Sequence, residues 1–190
     1  MLNNLQNFDE KLILAINGMN TPFLDSLMWW ISGKFSWWPL YLGLLILIFW
    51  KFPWKQSLMI MGFIILLITM SDQSSVHLFK NVFQRARPSH NPNLESILHF
   101  VNNYRGGAFG FISSHASNTF SVAVFLLLIF RKKWISIPLI TWAALVAYSR
   151  MYLGVHYFTD VFVGGIWGVL LASLSYFLYV KTRNYALHSE

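Results

Sequence analysis

The sequence contains no cysteine and has little charge of either sign, with only seven Asp and Glu residues among 190. The absence of cysteine excludes disulfides and thiolate metal sites. Charged residues make up 11% of the chain, against about 25% in a typical soluble domain. Hydrophobic residues reach 56%. These proportions exclude an ordinary soluble protein and predict an integral membrane protein with one domain over residues 1–190.

Aromatic residues are abundant, with nine Trp, eight Tyr and 17 Phe. Trp and Tyr are enriched where membrane meets water, so we expect the lipid bilayer to be a partner. The net charge of +7 could favour nucleic acid, but the position of the basic residues predicts no such partner. Asp9 and Glu10 precede a short apolar run that has no small-residue cleavage site, so we expect no signal peptide.

Residues 1–33 form a distinct N-terminal region. Apolar residues recur at helical spacing between Leu5 and Ile16, which predicts an amphipathic helix that ends at the Asn17-Gly18 break and lies in the membrane interface. The next apolar stretch, 22–32, is shorter than the ~20 residues that a membrane span needs. It could join the preceding helix into one broken crossing, and the sequence leaves that choice open.

Five further hydrophobic runs follow, and each is predicted to be a membrane span. The expected fold class is therefore an all-α polytopic transmembrane helix bundle with five or six spans, the sixth depending on the N-terminal region. The predicted spans cover residues 35–54, 56–86, 115–130, 134–149 and 157–180.

The ends of alternate spans are basic, and basic residues concentrate in cytoplasmic loops. Seven cations therefore mark the predicted cytoplasmic side: Lys51, Lys55, Arg131, Lys132, Lys133, Lys181 and Arg183. Five cations remain for the opposite side, where orientation in the membrane does not require them: Lys80, Arg85, Arg87, Arg105 and Arg150.

Two of these cations, Lys80 and Arg87, are seven residues apart. Such residues lie about 20° apart around a helix and about 10 Å apart along it, so the spacing predicts that both share one helix face. Two long cations at a membrane boundary can clamp an anion, and a guanidinium fork suits phosphate oxygens. The alternative is that both side chains extend to lipid headgroups.

A second polar patch, Ser113-Ser114-His115, precedes an apolar helix. One of the serines is predicted to be the N-cap, so that free backbone N–H groups point at whatever lies above the helix. His115 is placed to donate a proton to a leaving oxygen if an anion binds there. Alternatively the cap is purely structural and the histidine is an interfacial side chain.

The third patch lies at the junction of the last two predicted spans, with Arg150 on one side and His156 and Asp160 on the other. Residues four apart on a helix are neighbours, so the carboxylate can accept a hydrogen bond from the imidazole Nδ1–H. This fixes the tautomer and leaves the unprotonated Nε2 as a nucleophile or base. A histidine–aspartate pair with only a structural role is the alternative.

The predicted topology brings all three patches to one side of the membrane, which favours a common site. Asp72 and Glu95 are the only other acids nearby, too few for a dedicated Mg²⁺ site, so we expect neither metal nor cofactor. The chemistry available to these residues is phosphoryl transfer through a phosphohistidine, with positioning and charge neutralisation as the means of catalysis.

These residues resemble the type 2 phosphatidate phosphatase family, which is related to the vanadium haloperoxidases. That family carries a Lys-x6-Arg-Pro motif, matched here by Lys80 and Arg87-Pro88. Its Ser-Arg-x5-His-x3-Asp motif is matched in full by Ser149-Arg150, His156 and Asp160. The resemblance covers residues 80–160, and the flanking helices match only in character.

The remaining family motif, Pro-Ser-Gly-His, is matched only in part. This chain reads Ile112-Ser113-Ser114-His115, with isoleucine for proline and serine for glycine. Serine at position 114 keeps the backbone donor but adds a side chain close to the expected phosphate.

The resemblance implies a division of labour. His156 would attack phosphorus, Asp160 would orient it, and His115 would protonate the leaving alcohol or phosphate. The phosphate oxygens would be held by Lys80, Arg87 and Arg150, together with the hydroxyl of Ser113 and the backbone N–H of Ser114.

We therefore expect a metal-independent lipid phosphatase at the extracytoplasmic face of a bacterial inner membrane. The resemblance suggests undecaprenyl pyrophosphate, lipid A phosphate, phosphatidylglycerophosphate or phosphatidate as substrate. A lipid-linked phosphotransferase and a non-catalytic carrier of anionic lipids are the alternatives. Four other basic residues either recognise an anionic headgroup or are merely solvated, and we interpret them as solvated: Arg85, His90, His99 and Arg105.

Overall fold

The structure, a computed structural model, describes the backbone of residues 2–188 and the side chains of residues 4–185. Within that backbone the fold is helical, and the only β-type pairing is an isolated antiparallel bridge between Ala86 and Phe109. The all-α fold class is thus confirmed. The helices are α1 (Leu2–Asn17), α2 (Pro22–Ser32), α3 (Trp38–Lys51), α4 (Trp54–Phe83), α5 (Ser114–Phe130), α6 (Lys133–Tyr152) and α7 (Phe158–His188).

Helix α5 is at the centre of the bundle, packed against α4, α6 and α7. Its side chains Ala123, Phe125 and Leu126 have no solvent exposure. A buried hydrogen bond of 2.6 Å between the hydroxyls of Ser117 and Ser71 also links α5 to α4. The polar end of α5 is therefore held by neighbours on three sides.

Among the described residues, two helices are long and apolar enough to cross a membrane, Trp54–Phe83 and Phe158–Tyr185. A third crossing is obtained if α2 and the stretch Phe35–Lys51, which meet at a bend of 78°, form one broken span. The bent pair joins α2 to the helix that follows it, whereas the sequence suggested a crossing with the helix that precedes it. Whether residues 1–33 cross the membrane stays open. Helix α5 is apolar but shorter, and the expected five or six spans stay a prediction.

Helix α1 ends at Asn17, as the sequence predicts. Its buried residues include Asp9 and Ile13, whereas Leu5 and Phe8 are about half exposed. The Asn17 side chain fixes the end of the helix, since its Nδ2 donates to the carbonyl oxygens of Tyr152 and His99 at 2.7 and 2.8 Å. The position of α1 in a membrane interface stays a prediction.

The end of α4 differs from the prediction. A π-helical turn, Ser75–Lys80, widens the helix, and Gln84 then adopts a left-handed conformation with φ of 45°. The chain continues as a short extended segment, in which the Arg87 N–H donates to the Ala108 carbonyl oxygen at 3.2 Å. The prediction of helix as far as residue 86 is therefore wrong, and Arg87 does not share a face of α4 with Lys80.

Candidate active site

The polar ends of α4, α5 and α6 surround a cavity of about 870 Å³. Its far wall is apolar and is formed mainly by α3, α4 and α5. Ser113 and Asp160 do not line the cavity and are fully buried behind its wall. The other six predicted site residues all line it: Lys80, Arg87, Ser114, His115, Arg150 and His156.

His156 follows a sharp turn at Gly154, whose φ of +70° favours a residue without a side chain. His156 is 1% exposed, and its Nε2 lies 3.1 Å from Nη1 of Arg87. A guanidinium can only donate, so Nε2 must accept, and the ring proton of the neutral imidazole lies on Nδ1. Nδ1 faces Oδ2 of Asp160 at 3.5 Å, which is too long for a good hydrogen bond.

The surroundings of His156 favour its neutral form. Burial lowers its pKa well below the usual 6.5, and the nearby cations Arg87, Arg150 and Lys80 lower it further. An unprotonated Nε2 is what a nucleophilic or basic imidazole requires.

Arg87 crosses the site and is fixed by backbone carbonyls. Its Nε donates to Phe109 O at 3.1 Å and its Nη1 to Val155 O at 3.2 Å. Burial, assisted by Arg150, lowers the pKa of Arg87 to about 10, so the guanidinium remains charged near neutral pH.

Arg150 is 3% exposed and is held by two side chains from distant parts of the chain. Its Nη1 donates to the Ser32 hydroxyl, and its Nη2 donates to the Tyr104 hydroxyl at 3.1 Å. Its Nε is buried and has no hydrogen-bond partner among the residues that the structure describes. The sequence contains no local signal for Ser32 or Tyr104 in this role.

Lys80 points at the start of α5. Its Nζ donates to the Ser114 hydroxyl at 2.5 Å, and the same hydroxyl shares a hydrogen bond of 2.6 Å with Ser75. Ser113 is the N-cap, as predicted for one of the two serines, and its hydroxyl accepts the Ala116 N–H at 3.5 Å. The serine that replaces the family's glycine is thus the residue that contacts Lys80.

Arg85 is not a solvated residue, and its interpretation as one is wrong. Its Nη1 donates to Asp160 Oδ1 and its Nη2 to Asp9 Oδ2, both at 2.8 Å. The extended backbone after α4 places Arg85 and Arg87 on one side of the segment, toward the start of α7. His90 is exposed and Arg105 is half exposed, as expected, whereas the half-exposed His99 lies 2.8 Å from a carboxylate oxygen of Asp25.

A second cavity, of about 820 Å³, adjoins the first. The two share Lys34, His115 and Arg150 among their lining residues. The second cavity is further lined by aromatic and polar side chains of α2 and of the loop before α5: Asp25, Trp29, Trp30, His99, Asn102 and Tyr104. Within the described residues, no group of three or more His, Cys, Asp or Glu is placed to hold a metal ion.

Cations gathered around a buried histidine–aspartate pair, at one end of an apolar helix bundle, fit the class of integral-membrane phosphatases. The chain belongs to the PAP2 superfamily, whose family model matches residues 57–184. The resemblance seen in the sequence motifs is therefore confirmed.

Two relatives are proteins named lipid A 4'-phosphatase. The one from Bacteroides thetaiotaomicron is 39% identical over 179 residues, which cover 94% of this chain and 80% of the relative. The one from Porphyromonas gingivalis is 38% identical over 176 residues, which cover 93% of this chain and 75% of the relative.

Two solved structures share the fold. The PAP2-type phosphatidylglycerolphosphate phosphatase of Bacillus subtilis matches with a TM-score of 0.67 at 27% identity, over 96% of this chain and 88% of that one. The LpxE protein of Aquifex aeolicus matches with a TM-score of 0.64 at 24% identity, over 87% of this chain and 92% of that one.

Proposed function

We propose that this protein is a lipid phosphatase that removes a phosphate monoester from a glycolipid of the lipid A class, through a phosphohistidine, at the extracytoplasmic face of the membrane. The observation that carries the proposal is the apolar cavity that ends at His156 and its surrounding cations. Such a cavity accommodates an acyl chain while the phosphate meets the cations. The names of the two relatives support lipid A among the candidate lipids.

The second cavity supports a large polar headgroup. It adjoins the phosphate cluster on the side of His115, where the leaving alcohol would lie. Its volume of about 820 Å³ and its polar and aromatic lining suit a sugar better than the small glycerol of phosphatidate.

In the proposed reaction, Nε2 of His156 attacks phosphorus and the bond to the leaving oxygen breaks. His115 donates its proton to that oxygen, so the product leaves as an alcohol. In the second step His115 takes a proton from water, the water oxygen attacks phosphorus, and the phosphorus–nitrogen bond breaks to release inorganic phosphate. Asp160 would orient the imidazole from the Nδ1 side, once the Nδ1–Oδ2 distance of 3.5 Å shortens to that of a hydrogen bond.

Lys80, Arg87 and Arg150 would bind the phosphate oxygens and stabilise the charge that develops on them. The backbone N–H of Ser114, at the start of α5, adds a donor that benefits from the helix dipole. The Ser113 hydroxyl would have to turn from its contact with the Ala116 N–H to reach the phosphate.

The location on the extracytoplasmic side rests on charge. The opposite ends of α3, α5 and α6 carry Lys51, Arg131, Lys132 and Lys133, and loops rich in lysine and arginine are cytoplasmic. The active site would then face away from the cytoplasm.

The test is phosphate release by purified protein, with a chelator present, from lipid A, phosphatidate, phosphatidylglycerophosphate and undecaprenyl pyrophosphate. We expect the highest kcat/KM on lipid A, loss of activity in His156→Ala, and full activity in the exposed control His90→Ala. Rapid quenching should trap an acid-labile, alkali-stable phosphoenzyme in the wild type only.

Four outcomes would contradict the proposal. Activity of His156→Ala would reject the nucleophile, and a preference for phosphatidate would reject the headgroup assignment. Transfer of labelled phosphate to a second lipid instead of water would identify a phosphotransferase. Movement of lipid between leaflets without phosphate release would identify a carrier.

A further inference from the structure

A buried carboxylate of the N-terminal helix reaches the candidate active site from outside the region that the family model matches. Asp9 lies in α1, whereas the match begins at residue 57. Asp9 has no solvent exposure, and neither has Asp160. Two buried carboxylates are costly unless each is paired with a cation and hydrogen-bonded.

Arg85 supplies that cation to both acids. One of its terminal nitrogens donates to Asp160 Oδ1 and the other to Asp9 Oδ2, each at 2.8 Å. Its guanidinium also lies over the ring of Tyr157, 4.2 Å from the centroid. Arg85 is therefore fixed on two sides and over one face.

Asp9 also fixes the start of α7, the helix that carries Asp160. Its Oδ1 accepts the Thr159 N–H at 3.1 Å, and its Oδ2 accepts the Thr159 hydroxyl at 2.5 Å. An acid that accepts a free N–H in the first turn of a helix caps it and interacts favourably with its dipole.

The result is a carboxylate with no freedom to rotate. Oδ1 of Asp160 accepts from Arg85, while Oδ2 accepts the Tyr157 N–H at 3.0 Å and faces Nδ1 of His156. On the other side of the imidazole, Arg87 donates to Nε2. The segment from Arg85 to Arg87 thus holds the histidine–aspartate pair from both ends.

We propose that Asp9 and Arg85 are positioning residues for His156, which they orient through Asp160 and the start of α7. This inference rests on the proposed function, since it requires His156 to be the reacting group. It gives the N-terminal helix a part in catalysis, in addition to any part in membrane attachment.

The experiment compares Asp9→Asn, Arg85→Gln, Arg85→Lys and the double variant Asp9→Asn with Arg85→Gln. The matched control is Arg105→Gln, which removes a half-exposed arginine paired with Glu95. In mixed micelles we expect each single neutral variant to lower kcat by about 10- to 100-fold, as loss of an orienting partner does at other sites. KM should stay within about threefold, since neither residue touches the substrate.

Three readouts separate positioning from general stability. The loss in the double variant should fall well short of the product of the two single losses, because the residues act in series. Arg85→Lys should recover part of the activity lost in Arg85→Gln, because it keeps the charge. Single-turnover formation of the phosphoenzyme should slow in proportion to kcat, measured per folded molecule.

The inference is overturned if Asp9→Asn and Arg85→Gln behave like Arg105→Gln, or if they raise KM and leave kcat unchanged. If Asp9→Asn does not fold, the comparison of Arg85→Gln with Arg85→Lys decides. His156→Ala is assayed in parallel: an active His156→Ala rejects the proposed function, whereas an inactive one beside a normal Asp9→Asn rejects only the positioning role.

Discussion

Gly164 of α7 lies against the backbone that begins α5, and Gly164→Ala tests how closely the packing of the two helices sets the geometry of the site. A Cβ atom at position 164 would lie 2.8 Å from the carbonyl oxygen of Ser113. This distance is 0.6 Å shorter than 3.4 Å, the lower limit of an ordinary van der Waals contact. The obstructing atom belongs to the backbone, so no side chain can move out of the way. Overpacking of this kind costs about 1–3 kcal/mol.

The same shift would displace the site. The Ser113 N–H donates to the backbone oxygen of Asp160 at 2.9 Å, so separating α5 from α7 moves the start of α5 away from the histidine–aspartate pair. A misplacement of about 1 Å can cost about 100-fold in rate. We therefore expect Gly164→Ala to lower kcat by about 10- to 100-fold, even in molecules that remain folded.

The assay is thermal unfolding in detergent, together with phosphate release measured well below the unfolding temperature. A loss of 1–3 kcal/mol should lower Tm by about 2–12 °C for a chain of this size. Gly62→Ala is the control, since a Cβ there would meet nothing within 4 Å. If Gly164→Ala matched Gly62→Ala in both Tm and kcat, the link between helix packing and the site would be refuted.

Three further predictions concern the site and its cavity. The low pKa of His156 should place the acid limb of the pH profile of kcat/KM below pH 6.5. The same low pKa should make the folded protein less stable as the pH falls below 6.5, because there the histidine gains a proton in the unfolded state but not in the folded state. A limb above 6.5 would contradict this. Ser114→Gly keeps the backbone N–H and should retain kcat within about tenfold, whereas Lys80→Met should lower kcat/KM by about 100- to 1,000-fold. Equal losses in the two variants would instead assign phosphate binding to the Ser114 hydroxyl. Ile68→Trp, on the cavity wall, should raise KM for long-chain lipids but not for a short-chain phosphate ester, and a parallel rise for both would place the acyl chain elsewhere.

The residues that the sequence predicts correctly to lie together are those in short, fixed spacings. His156 and Asp160 are four apart at the start of α7, and Ser113 caps α5, because local helical geometry decides both. The sequence also predicts that Lys80 and Arg87 lie at one site, but it does so by placing both on one face of a continuous helix, which is wrong. The helix between them ends at Phe83, since the hydrogen bonds of the next segment go to the loop around Phe109.

The residues that the sequence could not place act across long separations. Asp9 meets Arg85 and Tyr104 meets Arg150 only through tertiary packing, and no local periodicity reports such contacts. One signal was available for Arg85, because an extracytoplasmic cation without a role in orientation needs a partner. The sequence contains no such signal for Ser32, because a serine at the end of a helix is common and does not indicate a contact with a distant arginine.

The charges of the site explain why it needs acids as well as cations. Four cations and two buried carboxylates meet there: Lys80, Arg85, Arg87, Arg150, Asp9 and Asp160. Without the histidines, the net charge of these six groups is +2, and Lys34 and Asp72 on the cavity walls offset each other. A phosphate monoester carries about −1.5 to −2 at neutral pH, so the substrate would neutralise the cluster.

An excess of positive charge in a largely buried site is destabilising until an anion binds. Inorganic phosphate should therefore raise Tm, by an amount that corresponds to about 2.7 kcal/mol at 100 times its Kd. Chloride at the same ionic strength should not do so, because it cannot bridge three donors at once. Arg150→Gln should weaken the response to phosphate, whereas Arg105→Gln should leave it intact. An equal rise in Tm with both salts would mean that the cluster does not form a specific site for a dianion.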